Sequence, residues 1–191
     1  MGMRDDILSA ALAAFEEHGE AGLSLRDVAS RVGVTPMALY RHYKDRQALL
    51  DAIVAVATQE WRARVARIRP CAPNDWLLKI GEAFLAYSFE KPRQFEAAFL
   101  TPSTNALRYP DDFAAGGSPA VSLQMKLIEQ LAQRNQVRPA IAPIEMVIIL
   151  AGLAQGLISL YRAGRIAGDE RSFRLLYRRA LKNCVRSFEL E

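Results

Sequence analysis

Apolar side chains recur every three or four positions through most of this 191-residue chain, and no segment shows the strict alternation of a half-buried β-strand. Alanine, leucine, arginine and glutamate are frequent, whereas the 11 glycines and 9 prolines lie mostly between the periodic segments. The pattern predicts an all-α fold with a substantial core.

Capping and stop residues predict three helices at the N-terminal end, of which the second and third are short. The first apolar face ends at His18-Gly19, and Ser24 offers a hydroxyl cap for a second helix that stops at Gly33. Thr35 can cap the third helix, and Pro36 suits its first position, where the amide would be unbonded anyway.

Prolines and turn formers divide the rest of the chain. A long helix is predicted over about 46–69, and Pro70 and Pro73 after it mark the predicted boundary between a domain at 1–48 and a larger one at 70–191. Further helices are expected at about 74–90, 92–101, 119–135, 141–164 and 169–189. The one long irregular stretch is 101–119, TPSTNALRYPDDFAAGGSP.

The second and third helices have the proportions of a helix-turn-helix, in which one helix braces another in a DNA major groove. Gly33 permits a left-handed turn between them, while Leu39 and Tyr43, four residues apart, face inward. The residues left on the outer side are Pro36, Met37, Tyr40, Arg41 and Lys44. An ordinary helical hairpin with a solvated face is the alternative interpretation.

The outer residues suit contact with DNA chemically. Arg41 can bond a guanine edge or a phosphate, and Met37 and Ala38 can contact a thymine methyl. Tyr40 and His42 can bond phosphate oxygens. The net charge is only +4, but residues 21–50 hold five cations and two carboxylates, and Lys44, Arg46 and Arg26 among them would add sequence-independent attraction.

The sequence of residues 23–53, LSLRDVASRVGVTPMALYRHYKDRQALLDAI, closely resembles the DNA-binding region of TetR-family transcriptional regulators. The resemblance extends over roughly residues 4–54. The positions that match are Ser24, Arg26, Val28-Ala29, Gly33-Val34, Leu39-Tyr40, His42-Tyr43-Lys44 and Ala48-Leu49-Leu50.

The resemblance implies a dimeric repressor or activator with an operator-binding N-terminal unit and a larger helical domain that dimerises and binds a small effector. It places Thr35 to Ala38 and Tyr40 to His42 in the recognition helix, and Arg26 on the bracing helix. It places Lys44 and Arg46 where such proteins contact backbone phosphates. Pro36, Met37, Ala38 and Arg41 would set the operator sequence.

The segment 144–161, IEMVIILAGLAQGLISLY, is apolar on nearly every side, so burial all round is expected. A membrane span is the competing interpretation, but Glu145, Gln155 and the lack of a second such run argue against it. If this helix and the last one pair with their symmetry mates, the helices at about 141–164 and 169–189 form a homodimer interface.

An effector pocket is expected among the helices from 74 to 135 and the helix at 144–161. Aromatics at helical spacing are also typical core residues, so each assignment competes with simple packing. The candidates, which would line a largely apolar cavity, are Phe84, Tyr87, Phe95, Phe99, Tyr109, Met125 and Gln155.

Catalysis is not expected. His18 and His42 are the only histidines, and no nucleophile motif or phosphate-binding glycine loop is present. Cys71 and Cys184 lack neighbouring ligands, so neither a metal nor another cofactor is predicted. Asp5 and Asp6 interrupt any leader, which makes a cytoplasmic location the expectation. A helical adaptor that binds no DNA remains the alternative function.

Overall fold

The computed structural model describes residues 2–69, 71–114, 119–133 and 141–188, and within these ranges the regular structure is helical, without strands. The all-α prediction is therefore confirmed. The helices are α1 (Met3–His18), α2 (Leu25–Arg31), α3 (Pro36–Tyr40), α4 (Arg46–Ala66), α5 (Pro73–Glu90), α6 (Pro92–Phe99), α7 (Asp111–Ala114), α8 (Pro119–Gln133), α9 (Pro143–Arg162) and α10 (Glu170–Ser187).

The capping residues form the predicted helix starts. Ser24 accepts a hydrogen bond from the Asp27 amide, and Thr35 accepts one from the Ala38 amide. The short helix α7 lies inside the stretch expected to be irregular. The predicted helix ends at residues 135 and 189, the domain-boundary proline Pro70 and residues 115–118 lie outside the described residues.

The chain divides into two compact units. The first contains Met1–Trp61 and Glu90–Ala106, and the second contains Arg62–Phe89 and Leu107–Glu191. Packing thus assigns α6, which follows the predicted boundary near residue 70 in the chain, to the N-terminal unit. The proposed division into functional domains at that boundary stays a prediction.

Much of the core of the first unit is formed by one apolar cluster. It buries the inward faces of α1 to α4 together with Ala97 of α6. The contributing positions on the N-terminal helices repeat at the three-to-four spacing read from the sequence. The largest fully buried side chains of the cluster are Ile7, Phe15, Leu39, Leu49, Leu50 and Ile53.

The second unit has its own core, in which α5 and α10 approach closely. A Cβ added at Gly81 would lie 2.3 Å from Cδ1 of Leu181, so a larger residue there would require the Leu181 side chain to move. The buried Tyr177 hydroxyl donates a hydrogen bond of 3.0 Å to the Gly81 carbonyl oxygen. Burial raises the pKa of this hydroxyl, and the nearby Glu82 carboxylate raises it further.

Helix α9 differs from the expectation of burial on every side. It packs against α8 and α10 and buries Met146, Leu150 and Ile158. Its opposite side, with Ile148, Ile149 and Leu160, is exposed in the single chain. The prediction that the helix is buried on every side was therefore wrong for one chain alone. Among the helices in the described parts of the chain, α9 alone is long and apolar enough to cross a membrane.

Candidate nucleic-acid interface

The bracing helix α2 is fixed to α1 by Arg31. Its guanidinium donates two hydrogen bonds to the Glu17 carboxylate, at 2.8 and 2.7 Å, and one of 2.8 Å to Asp27. The bonds from Arg31 hold the pKa of Glu17 below its usual value. Because its donors are engaged by carboxylates, Arg31 contributes to the unit's structure rather than to the free positive surface.

The turn between α2 and α3 is closed by backbone bonds. The Val34 amide donates to the Ala29 carbonyl at 3.0 Å, and the Gly33 amide donates to Ser30 at 3.1 Å. Gly33 has a φ of +69°, the left-handed conformation that the sequence predicted for it. The turn directs the chain into Thr35, whose hydroxyl caps α3 by accepting a hydrogen bond of 3.2 Å from the Ala38 amide.

Helix α3 has distinct inner and outer sides. Leu39 is fully buried and Tyr43, just after the helix, is 3% exposed, as the spacing predicted. Met37 is 72% exposed and Tyr40 is 47% exposed. Apolar and amphipathic side chains at this exposure are available to an outside partner. Thr35 and Pro36 are also exposed, and Ala38 is half-buried.

Basic side chains surround this outer surface. Arg26, Arg41, His42 and Lys44 are all exposed, and no ion pair or hydrogen bond joins their side chains to another residue that the structure describes. The positive charges of Arg26, Arg41 and Lys44 are therefore not neutralised within the described parts of the chain. A surface of this kind attracts polyanions such as the DNA backbone.

Arg46 is arranged differently from the other predicted phosphate contacts. Its Nε donates to the Leu23 carbonyl at 3.1 Å, its Nη2 donates to the Glu20 carbonyl, and its Nη1 lies 3.6 Å from the Glu20 carboxylate. The guanidinium thus joins the start of α4 to the loop ahead of α2. Its role toward phosphate stays a prediction.

Two contacts of the first unit could not be read from local patterns. The Arg4 guanidinium lies over the ring of Tyr43, 5.3 Å from its centroid, and so adds a cation beside the end of α3. Asp51 of α4 binds Ser103 and Thr104, more than 50 residues further along the chain. The sequence shows that Arg4 can pair with an aromatic ring and that Asp51 can accept hydrogen bonds. It does not show which distant residue is the partner.

The seven predicted effector contacts are distributed over both units. Phe95 and Phe99 belong to the first unit, with ring centroids 5.1 Å apart. In the second unit, Phe84 and Tyr87 are buried, and Arg64 lies 4.7 Å above the Tyr87 ring. Tyr109 is exposed, and Met125 and Gln155 are half-buried. Their role in ligand binding stays a prediction.

A groove of about 220 Å³ lies in the first unit, between α1, α4 and α6. Its apolar walls include Phe15, Ile53 and Ala97, and none of the seven predicted effector contacts lines it. Ligand pockets usually measure about 300–1,000 Å³, so this groove is small for an effector. No group of three or more potential metal ligands occurs in the parts of the chain that the structure describes.

The capped, glycine-turned pair α2 and α3, with its buried inner side and basic outer side, defines a helix-turn-helix DNA-binding protein. Residues 7–53 match the family model for bacterial regulatory proteins of the tetR family. Residues 77–183 match the model for a tetracyclin repressor-like C-terminal domain. The chain belongs to the TetR family of transcriptional regulators, which are non-enzymatic DNA-binding proteins.

Individual relatives support the same assignment over limited lengths. The chain is 37% identical over 70 residues to the class A tetracycline repressor protein from transposon 1721 of Escherichia coli, which covers 37% of this chain and 31% of that protein. It is 42% identical over 50 residues to the class C repressor of the same organism, covering 26% and 23%. The alignments thus span less than a third of these curated relatives.

The fold is similar to solved structures along nearly the whole chain. A protein of unknown function from Rhodococcus sp. RHA1 superposes with a TM-score of 0.79 at 18% identity, covering 100% of this chain and 97% of that one. A TetR variant from Acinetobacter baumannii AYE in complex with minocycline gives 0.64 at 17%, covering 94% and 92%. At these identities the likeness concerns the fold.

The bonds of Arg46 predict that it stabilises the first unit. Arg46→Ala should lower the free energy of unfolding by about 1–2 kcal/mol, because two carbonyl oxygens would lose their charged donor. The effect stays moderate because the Arg46 side chain is partly exposed to solvent. Urea denaturation followed by circular dichroism measures the change. Lys44→Ala is the matched control and should stay within about 0.5 kcal/mol. Equal, negligible effects of both substitutions would show that the Arg46 bonds contribute nothing.

Proposed function

We propose that this chain is a homodimeric repressor that binds a roughly palindromic DNA operator and is released from it by a small, largely apolar effector. The main support is the two-sided character of α3. Leu39 and Tyr43 anchor it in the core, while Met37, Tyr40 and Arg41 point away from that core. A helix held in this way can enter a major groove without losing its own packing.

The proposed contacts divide by chemistry. Base edges would be read by the outer residues of α3 and the position after it, with Arg41 bonding guanine and Met37 and Ala38 touching thymine methyls. The phosphate backbone would be bound by hydroxyl, imidazole and cationic groups. The full set of proposed DNA contacts is Arg26, Thr35, Pro36, Met37, Ala38, Tyr40, Arg41, His42, Lys44 and Arg46.

The homodimer is proposed from the exposed stripe of α9, defined here as Ile148, Ile149, Gly152, Gly156 and Leu160. Ile148, Gly152, Gly156 and Leu160 are four residues apart, and Ile149 lies beside Ile148 on the same exposed side. A Cβ added at Gly152 or Gly156 would meet nothing within 4 Å, so the helix backbone is bare there. Small residues flanked by isoleucine and leucine suit close helix crossing with a second copy.

Helix α10 supplies the neighbouring part of this proposed interface. Leu175 is 61% exposed, although Phe173 and Tyr177 of the same helix are buried. Pairing of α9 and α10 with their symmetry mates would form a four-helix interface. Two helix-turn-helix units would then read half-sites about 34–36 Å apart, or a multiple of that distance.

The effector and the direction of regulation are proposed by analogy with relatives. The solved TetR variant from Acinetobacter baumannii AYE holds minocycline. In this chain, the second unit contains Phe84, Tyr87, Met125 and Gln155, which would contact a largely apolar molecule. The coupling free energy between an effector site and a DNA site is typically about 1–3 kcal/mol. Because coupling is reciprocal, operator DNA must weaken the binding of the effector by the same factor. A DNA-binding regulator of this kind would act in the cytoplasm.

Two substitutions test the proposed division of DNA contacts. Lys44→Ala should weaken binding about equally on all duplexes and reduce the slope of log affinity against log salt by about two, because each copy of the dimer loses one phosphate contact. Arg41→Ala should relax the preference at one base pair in each half-site, at a cost of about 1–3 kcal/mol per half-site on the preferred sequence. Fluorescence anisotropy at several salt concentrations measures both effects.

Lys126→Ala on α8 is the control, since it removes an exposed lysine from the second unit and should leave both the slope and the preference unchanged. Equal loss on every sequence after Arg41→Ala would identify Arg41 as a phosphate contact. If neither substitution changes binding, the proposed interface is wrong.

The dimer proposal predicts that sedimentation at micromolar concentration gives twice the chain mass. Leu175→Glu should shift the protein to monomer, because the exposed leucine would become a charge buried between two copies. Leu123→Glu is the matched control, since Leu123 on α8 is 40% exposed and lies outside the proposed interface. A monomer in the unsubstituted protein, or a dimer that survives Leu175→Glu, would contradict the assignment.

A further inference from the structure

The side of α10 that is turned away from the core carries a row of cations. Buried residues of this helix recur at every fourth position, from Phe173 to Val185. At about 3.6 residues per turn, four of its cations fall within roughly 80° of one another on the exposed side. We call these residues the α10 row: Arg171, Arg179, Lys182 and Arg186, all of them exposed.

The remaining two arginines of α10 are paired with carboxylates. Arg174 Nε donates a hydrogen bond of 2.7 Å to Glu170, and Arg178 Nε donates one of 2.6 Å to Glu82 of α5. No ion pair or hydrogen bond joins the side chains of the α10 row to another residue that the structure describes. Glu170 is also the only acidic residue within the helix. The row is therefore an uncompensated positive surface in the described part of the second unit.

The dimensions and chemistry of the row suit a linear chain of phosphates. From Arg171 to Arg186 the helix rises about 22 Å, which is the axial length of about six phosphates on one DNA strand. Three of the four cations are arginines, whose guanidinium groups match phosphate oxygens in geometry. Leu175 is the only large apolar side chain that α10 exposes, so the helix offers little that would insert into a lipid surface.

The proposed dimer interface leaves the row accessible. That interface uses Leu175, and most of the row follows Leu175 by about one to three turns of helix. Helices that cross at an angle separate along their lengths, and charged side chains at the rim of an interface keep their access to solvent. Each copy in a dimer would therefore present one row.

We propose that the α10 row is a second nucleic-acid surface, which binds the phosphate backbone of a DNA duplex without reading its sequence. It belongs to the second unit, whereas the recognition helix belongs to the first. Contacts to phosphates alone carry no sequence information, so any duplex satisfies them. The row goes beyond operator recognition, because it lets a protein bound to an operator through α3 hold a second duplex through α10.

The test uses Arg41→Ala/Lys44→Ala as a background, because these substitutions remove two proposed operator contacts. Binding to a duplex of random sequence is measured by fluorescence anisotropy at several salt concentrations. At low salt the row variant should bind at least about tenfold more weakly than the background. Its slope of log affinity against log salt should be smaller by about three for each row that the duplex contacts. The row variant adds Arg179→Gln, Lys182→Gln and Arg186→Gln.

A matched control removes three exposed cations that are scattered over the second unit. It lowers the net charge as much as the row variant does, and its salt slope should stay within about one of the background. Without the background substitutions, the row variant should sediment as the unsubstituted protein does and bind operator as tightly as the control, because α3 is intact. The control substitutions are Arg67→Gln, Lys79→Gln and Lys126→Gln.

Retention of two duplexes by one protein tests the consequence directly. The unsubstituted protein, loaded on an immobilised operator duplex, should retain a labelled duplex of random sequence, and the row substitutions should abolish this retention. If no operator is recovered from a pool of random duplexes, the proposed function fails. The anisotropy measurement still tests the row in that case, because it requires no operator.

Three results would overturn the inference. The first is an equal salt slope for the row variant and its control. The second is tighter binding to vesicles that contain phosphatidylserine than to the duplex at equal phosphate concentration, which would assign the row to a lipid surface. The third is displacement of the duplex by polyglutamate at equal charge, which would show that the row binds any polyanion and does not favour phosphate.

Discussion

Burial of Leu39 and Tyr43 is the constraint on which the rest of the structure depends. Helix α3 spans only five residues, from Pro36 to Tyr40, and so short a helix is not stable by itself. Its orientation comes from these two side chains, which are fixed in a core shared with α1, α2 and α4. The exposure of Met37, Tyr40 and Arg41 follows from the same packing, because a helix with one side anchored presents the other.

The surrounding polar contacts keep that packing in register. Gly33 makes the turn possible, Thr35 begins the helix, and Arg31 and Arg46 bind the neighbouring elements through carboxylates and carbonyl oxygens. Positive charge is therefore used in two ways within one short region. Arg31 and Arg46 are engaged internally, whereas Arg26, Arg41 and Lys44 remain exposed for an anionic partner. This separation leaves a local excess of exposed positive charge although the net charge of the chain is only +4, which supports the proposed DNA-binding surface.

The features predicted from sequence were those with local causes. The caps at Ser24 and Thr35, the left-handed Gly33 and the inward Leu39 and Tyr43 follow from the chemistry of a few adjacent residues. The family resemblance rested on the same stretch. Contacts between distant residues, such as Asp51 with Thr104, have no local signal, because nothing near Asp51 indicates which hydroxyl will reach it. The assignment of α6 to the first unit was missed for the same reason.

Helix α9 shows why an apolar pattern can mislead when one chain is considered alone. Hydrophobicity on every side predicted complete burial, yet one side remains exposed, since α8 and α10 cover only the other. An apolar composition indicates that the helix should be buried. It does not indicate whether the residues that cover the helix belong to the same chain or to another one. The proposed second copy would cover the exposed side, and it would also supply the two-fold symmetry that a palindromic operator requires.

The most direct test of the central claim is selection of bound fragments from a pool of random DNA duplexes. A protein that presents α3 outward in a symmetric dimer should enrich an inverted repeat, with half-sites centred about 10 base pairs apart or a multiple of that spacing. Recovery of fragments with no shared sequence, or of none above background, would contradict the account.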